Sequence, residues 1–255
     1  MAAENFERAL QEVFGHEGGY SADLRDPGNW TGGKRGVGQL KGTKYGISAA
    51  AFPHLDIRNL TLKQAGLIYR ERYWKAVGGD ALEGGVDLAV FDAAVNSGVS
   101  RARKWYASAR LQSPTETVKR FCDVRRSFLR GLSTFKVYGK GWLRRVARIE
   151  ATGVRWALEF AGLPSRAVKA RLELHAKEAA TNSAAARSQA KGAAAGTVAT
   201  DAAITATDTG LHGSTLALAI IAILIVGGLC AAVLIHRSRA KREAAKAYAE
   251  QAAII

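Results

Sequence analysis

Over the first 164 residues, apolar positions recur mostly with the period of a helix. Phe6, Leu10, Val13 and Phe14 repeat at spacings of three and four among Glu4, Glu7, Gln11 and Glu12, which predicts an amphipathic helix ending where Gly15 begins. From Gly18 to Gly46 the pattern is broken by nine glycines, so this stretch reads as loop or short hairpin. Thr61 is a helix-capping residue in front of Leu62, Ala65, Tyr69 and Tyr73, which would share one helical face. Three further helices are predicted over 86–96, 100–111 and 113–129, the last opened by Ser113, Pro114 and Glu116 in the order of a helix N-terminus. A final helix over 140–161 stops at Gly162 and Pro164. The pattern therefore predicts a mainly α domain with a small glycine-rich, partly extended lobe.

Beyond Pro164 the character of the chain changes. No aromatic residue other than histidine occurs between Phe160 and Tyr248, so a compact domain is expected to end near 164. Residues 165–214 are rich in Ala, Thr and Ser; they read as helical up to Arg187 and as a tether after it. Thr215 to Ile235 carries no charge and has the length of a membrane-spanning helix. Behind it stand Arg237, Arg239, Lys241, Arg242 and Lys246, whereas the twenty residues before it hold no Lys or Arg. The positive-inside rule then predicts a single-pass inner-membrane protein, with 236–255 as a basic cytoplasmic tail and the folded domain on the periplasmic side. The opening residues have neither a basic nor an apolar region, so no conventional signal peptide is expected, in tension with that topology.

Composition narrows the class further. Of 255 residues, 48% are apolar, and 37 Lys and Arg stand against 22 Asp and Glu. A disordered acidic tail or a disulfide-stapled miniprotein is excluded, and Cys122 and Cys230 lie too differently placed for a structural disulfide. The excess of positive charge favours an anionic partner: nucleic acid, a lipid surface or a wall polymer. No nucleic-acid-binding motif, metal-ligand spacing or phosphate loop accompanies it, so neither nucleic acid, metal nor cofactor is expected. The basic row from Arg120 to Arg130 reads as a solvated helix face.

The chemistry concentrates after the first helix. Glu17 sits at the helix end beside glycines, where a desolvated carboxyl can act as a general acid. Tyr20, Asp23, Asp26, Trp30, Thr43 and Tyr45 follow within thirty residues, an inventory of carboxylates, hydroxyls and flat rings suited to sugar cleavage. Asp92 and Asn96, four apart on one helix, either face the same cleft, cap the helix or brace the two lobes. Trp74, Trp105, Trp142 and Trp156 lie in helical apolar stripes and read as core, unlike Trp30.

The run HEGGYSADLRDPGNW followed by GTKYGIS resembles the motif of glycoside hydrolase family 108, bacterial and phage muramidases with a lysozyme-like fold. The segments YRERYW, FDAAVNSG and YGKGWLRRV are similar to the helical, peptidoglycan-binding half that accompanies that motif, and together the likeness covers residues 7–162. It implies a catalytic lobe over 1–85 and a helical peptidoglycan-binding half over 86–164, to which composition and charge add a linker over 165–214, a transmembrane helix over 215–235 and a tail over 236–255. It also implies that Glu17 is the catalytic acid. A second carboxylate is not pinned by any motif; Asp26 is the first candidate and Asp23 and Asp92 are others, unless Asp26 braces the loop and water attacks directly. The implied activity is cleavage of the β-1,4 bond between N-acetylmuramic acid and N-acetylglucosamine, in a phage or prophage endolysin or a secretion-associated hydrolase, with glycan strands, the inner membrane and a holin as partners. A lytic transglycosylase and a non-catalytic wall-binding anchor are the alternatives, separated by the products formed.

Overall fold

The computed structural model describes residues 5–14, 19–206 and 213–255, with the side chains of 194–227 outside the description. The chain divides into two compact units, Met1–Arg125 and Arg126–Ile255. Their boundary falls inside a helix, and the long helix before Pro164 packs with those that follow it.

In the first unit, α1 (Asn5–Phe14) buries Phe6, Leu10 and Val13, the face that the periodicity predicts. A lobe of short extended segments follows, with β1 (Thr43–Lys44) antiparallel to β2 (Ile47–Ser48). Next comes α2 (Leu62–Tyr69), opened by a reciprocal capping box: Gln64 N–H donates to the Thr61 hydroxyl while Thr61 N–H donates to the Gln64 side chain. Ala65 and Tyr69 of this helix are buried, but Leu62 stays 53% exposed, since as the first helical residue it lies beyond the reach of the core. The helix runs on through a π turn over Arg70–Trp74 and a 3-10 turn over Lys75–Val77, and stops at Gly78 in the left-handed region. Then follow α3 (Val86–Ser97), α4 (Val99–Ala109) and α5 (Pro114–Arg130).

Every residue of α3 from Val86 to Ala94 is buried, so this helix forms the axis of the unit. Around it Phe6, Trp74 and Phe91 meet edge to face, with centroids 5.4 to 5.9 Å apart. Two carboxylates of α3 are buried in this core. Asp87 accepts from Asn5 Nδ2 at 2.8 Å and from the backbone N–H groups of Gly85 and Leu88, yet burial outweighs these donors and pushes its carboxyl up to about 6. A carboxyl that binds its proton more tightly folded than unfolded stabilises fully below its unfolded pKa, and that contribution is lost as pH rises through about 6. Between pH 4 and 7 the wild type is therefore expected to lose about 2 kcal/mol relative to Asp87→Asn. Urea unfolding across that window checks this; a constant difference between the two proteins would refute it.

In the second unit, α6 (Phe135–Phe160), α7 (Ser165–Ala206) and α8 (Gly213–Ala253) pack on one another. The segment expected as a tether is helical to Ala206, as a run of alanines favours. The residues expected as a free tail are equally part of this bundle: Ala240, Ala244, Ala247, Tyr248 and Ala252 are buried. Tyr248 hydroxyl donates to Glu150 Oε1 at 2.9 Å, and Arg126 pairs with the other oxygen of the same buried carboxylate. Arg155 Nε donates to Gln251 Oε1 at 2.6 Å. Among the described residues no helix is long and apolar enough to cross a membrane; α8 contains the uncharged run, most of whose side chains lie outside the description.

Candidate functional site

Glu17 and His16 lie outside the described residues, so the site is built from what flanks them. On the N-terminal side, Phe14 closes α1 with its ring edge-on to Tyr69 at 4.6 Å and 6.4 Å from Tyr45. Tyr69 hydroxyl in turn donates to the carbonyl of Tyr45 at 3.1 Å. On the C-terminal side, Ser21 and Thr43 exchange both backbone hydrogen bonds, at 2.9 and 2.8 Å. Thr43 pairs on its other edge with Ser48, so Ser21, Thr43 and Ser48 form a three-strand patch with Thr43 in the middle.

Local geometry explains why these residue types stand here. The β1–β2 turn is Tyr45-Gly46, with φ of 51° and 71°, the two positive values that a tight two-residue hairpin needs. Tyr45 is the one described residue other than glycine with positive φ, and the Tyr69 bond and the Phe14 contact hold it there. Gly42 precedes the patch with φ of 81°; a Cβ at this position would stand 2.5 Å from the Ser21 carbonyl oxygen and 2.7 Å from the Tyr20 ring. Only glycine lets Tyr20 lie against that strand. The outer face of Tyr20 carries the Arg58 guanidinium, 5.1 Å from the ring centre.

The loop beyond Ser21 is held from within. Asp26 Oδ1 accepts from Gly28 N–H at 2.8 Å and caps the 3-10 turn Pro27–Asn29. Asp23 forms an exposed ion pair with Arg25, whose side-chain hydrogen bonds hold its carboxyl down to about 2. A group ionised so firmly is no proton donor near neutral pH. Trp30 is half-buried, pinned by its indole N–H to the Leu24 carbonyl at 3.1 Å and paired across the lysine-containing loop with Leu40.

Asn29 joins these pieces, a role that sequence reasoning did not assign. It is fully buried, its carbonyl accepts from both Lys41 and Gly42 N–H at 3.0 Å, and its Nδ2 donates to the Asp23 carbonyl. Its place directly after Asp-Pro-Gly is the signal that could have identified it, since Asn at a turn exit bonds backbone groups.

The structure thus brings Tyr20, Thr43 and Tyr45 together in the strand patch, with Asp26 and Trp30 tied to the same lobe through Asn29. It does not bring Asp92 to the surface. That carboxylate is fully buried and bonded to Arg125 Nη1 at 2.5 Å, so it braces α3 against α5 and cannot touch a polymer. Asn96 is exposed, with Nδ2 donating to the Asp92 carbonyl at 2.7 Å. The expectation of a solvated basic row also fails where it matters most: Arg125 and Arg126 are 2% and 4% exposed, each spent on a buried carboxylate. Of the four tryptophans expected in the core, Trp74, Trp105 and Trp156 are buried and Trp142 is half-buried against Tyr138 and Phe135. Among the described residues no three His, Cys, Asp or Glu side chains group as metal ligands.

Two comparisons relate this chain to known proteins. The family model of Glycosyl hydrolase 108 matches residues 10–98, a span holding Glu17 and every other candidate site residue. Among solved structures, that of Brucella abortus SagA is similar at 31% identity and a TM-score of 0.51, over 61% of this chain and 97% of the other. No curated protein matches.

Proposed function

This chain belongs to glycosyl hydrolase family 108 and is a glycoside hydrolase, and from that premise we propose that it is an N-acetylmuramidase acting on peptidoglycan. The observation that carries the reading is the order Glu17-Gly-Gly-Tyr20, Asp26-Pro-Gly28 and Tyr45-Gly-Ile-Ser48 inside the matched span, together with the Ser21–Thr43 backbone pairing that sets Tyr20 beside the strand leading to Tyr45. In this mechanism Glu17 protonates the oxygen of the β-1,4 bond between N-acetylmuramic acid and N-acetylglucosamine as the muramic ring takes on oxocarbenium character. Tyr20, Trp30, Thr43 and Tyr45 offer ring faces and hydroxyls to the sugars, and Asn96 is the polar group on α3 that stays at the surface. Asp26 Oδ1 is engaged in capping, and in this reading Glu17 acts with an activated water rather than through a covalent intermediate at Asp26.

The same single acid would serve a lytic transglycosylase, in which the muramic hydroxyl replaces water. Mass spectrometry of muropeptides released by the full chain separates the two. Reducing-end muramic acid is the expected product; anhydro-muramic ends would replace hydrolysis by transglycosylation, and no release by folded protein would leave a wall-binding anchor.

The uncharged run Thr215–Ile235 supports attachment to the inner membrane, with the catalytic unit on the periplasmic, wall-facing side. An endolysin or secretion-associated wall hydrolase is the setting that fits such a chain, a holin being the other route to the wall.

A further inference from the structure

The chemistry that the muramidase reaction does not use is concentrated in the second unit. There Ser183 hydroxyl donates to the Ser238 carbonyl at 2.9 Å, and the rings of His175 and Tyr248 lie 5.3 Å apart. Going forward along α7 therefore means going backward along α8, so the two helices are antiparallel. Between them opens a groove of about 760 Å³. Alanines floor it, and its walls carry Arg187 and Lys191 from α7 and Arg239, Arg242 and Lys246 from α8. These positions are spaced by three, four and seven, so each helix turns one cationic face into the groove. Among the described residues no Asp or Glu lines it. Five like charges around one concavity repel unless an anion is shared among them.

The groove also stands at a boundary of polarity. Ile235 lines its edge, and Leu229, Val233 and Ile235 are 63%, 52% and 42% exposed on the way into the uncharged run. A ligand that is anionic at one end and apolar at the other matches both sides of that boundary. We propose that the groove between α7 and α8 binds the phosphate headgroup of an anionic phospholipid, held by Arg187, Lys191, Arg239, Arg242 and Lys246, with its acyl chains directed along the apolar part of α8. This rests on the membrane attachment proposed above and adds the lipid class that would be selected.

The packing of α8 also sets which leaflet is met. Residues beyond the run are locked to α6 by the Tyr248–Glu150 and Arg155–Gln251 bonds. A single pass that left 236–255 on the opposite side would have to break both and expose the Glu150 carboxylate pair. The basic groove and the tail therefore stay on the side of α6.

The test is flotation of the full chain with vesicles of phosphatidylcholine alone or with one third phosphatidylglycerol, for wild type and for Arg187→Gln/Arg239→Gln/Arg242→Gln/Lys246→Gln, whose folding circular dichroism verifies. The wild type is expected to favour the anionic vesicles, by about fivefold for each of the charges at low salt, with the preference fading as salt is raised. The variant is expected to bind both vesicles alike. Equal anionic preference in the two proteins would overturn the site. Titration with soluble dihexanoyl phosphatidylglycerol and with inorganic phosphate completes it. Lipid binding without flotation would keep the groove and remove the membrane attachment. Inorganic phosphate bound as tightly as the lipid, or neither bound, would overturn the lipid assignment.

Discussion

Glu17→Gln is expected to lower muropeptide release from peptidoglycan by about 10²–10⁴-fold with no change in the unfolding midpoint, because an amide of the same shape cannot deliver a proton to the leaving oxygen. The comparison that gives this result meaning is Asp26→Asn. Asn keeps an oxygen for the Gly28 N–H, so the turn over Pro27–Asn29 stays capped while the charge is removed. With Asp26 as a brace, that variant is expected to remain within a few-fold of wild type. A loss as deep as that of Glu17→Gln would instead make Asp26 the second reacting carboxylate, and unchanged activity in Glu17→Gln would remove Glu17 from the mechanism altogether. Rates of soluble product release, read beside thermal unfolding of each variant, decide among these.

Removing one partner of the Asp92–Arg125 pair is expected to cost about 3–5 kcal/mol of unfolding free energy, since both groups are buried and each would leave an uncompensated charge in the core of the first unit. Replacing both, as Asp92→Leu/Arg125→Met, is expected to recover most of that loss, because the desolvation of two ions disappears together with their attraction. Denaturant unfolding of the singles and the double measures the coupling directly. The double variant also tests the role of Asp92. A brace predicts near wild-type kcat/KM per folded molecule at a permissive temperature, whereas a sugar-binding carboxylate predicts a loss that no restored stability repairs.

Much of the first unit was legible because its signals are local. The face of α1, the Thr61 cap, the Pro114 start and the glycine-broken stretch that ends at Gly46 each follow from neighbouring residues and the backbone states open to them. Asp92 was ambiguous for the opposite reason. A carboxylate on a helix looks the same in sequence whether it meets a sugar or an arginine 33 positions away, and only the packing of α5 on α3 selects the second. Arg125 and Arg126 misled in the same manner: a row of cations reads as solvated until the fold supplies a buried carboxylate for each. Asn29 escaped notice because its function is to bond backbone groups twelve and thirteen residues further on.

Tyr248 shows the division most clearly. Its isolation from every other Phe, Tyr and Trp was visible in the chain, and the basic residues around it read as a tail; its bond to Glu150 across 98 positions makes that tail a bundle helix. The sequence by itself determined the helical class, the glycine-rich lobe and the family, all of which depend on residue type and short spacing. Tertiary structure alone decided which charges are buried, where the second unit begins and which face of α8 meets α6. Those outcomes depend on partners distant along the chain, and the cost of leaving a buried charge or hydroxyl unpaired makes each choice sharp.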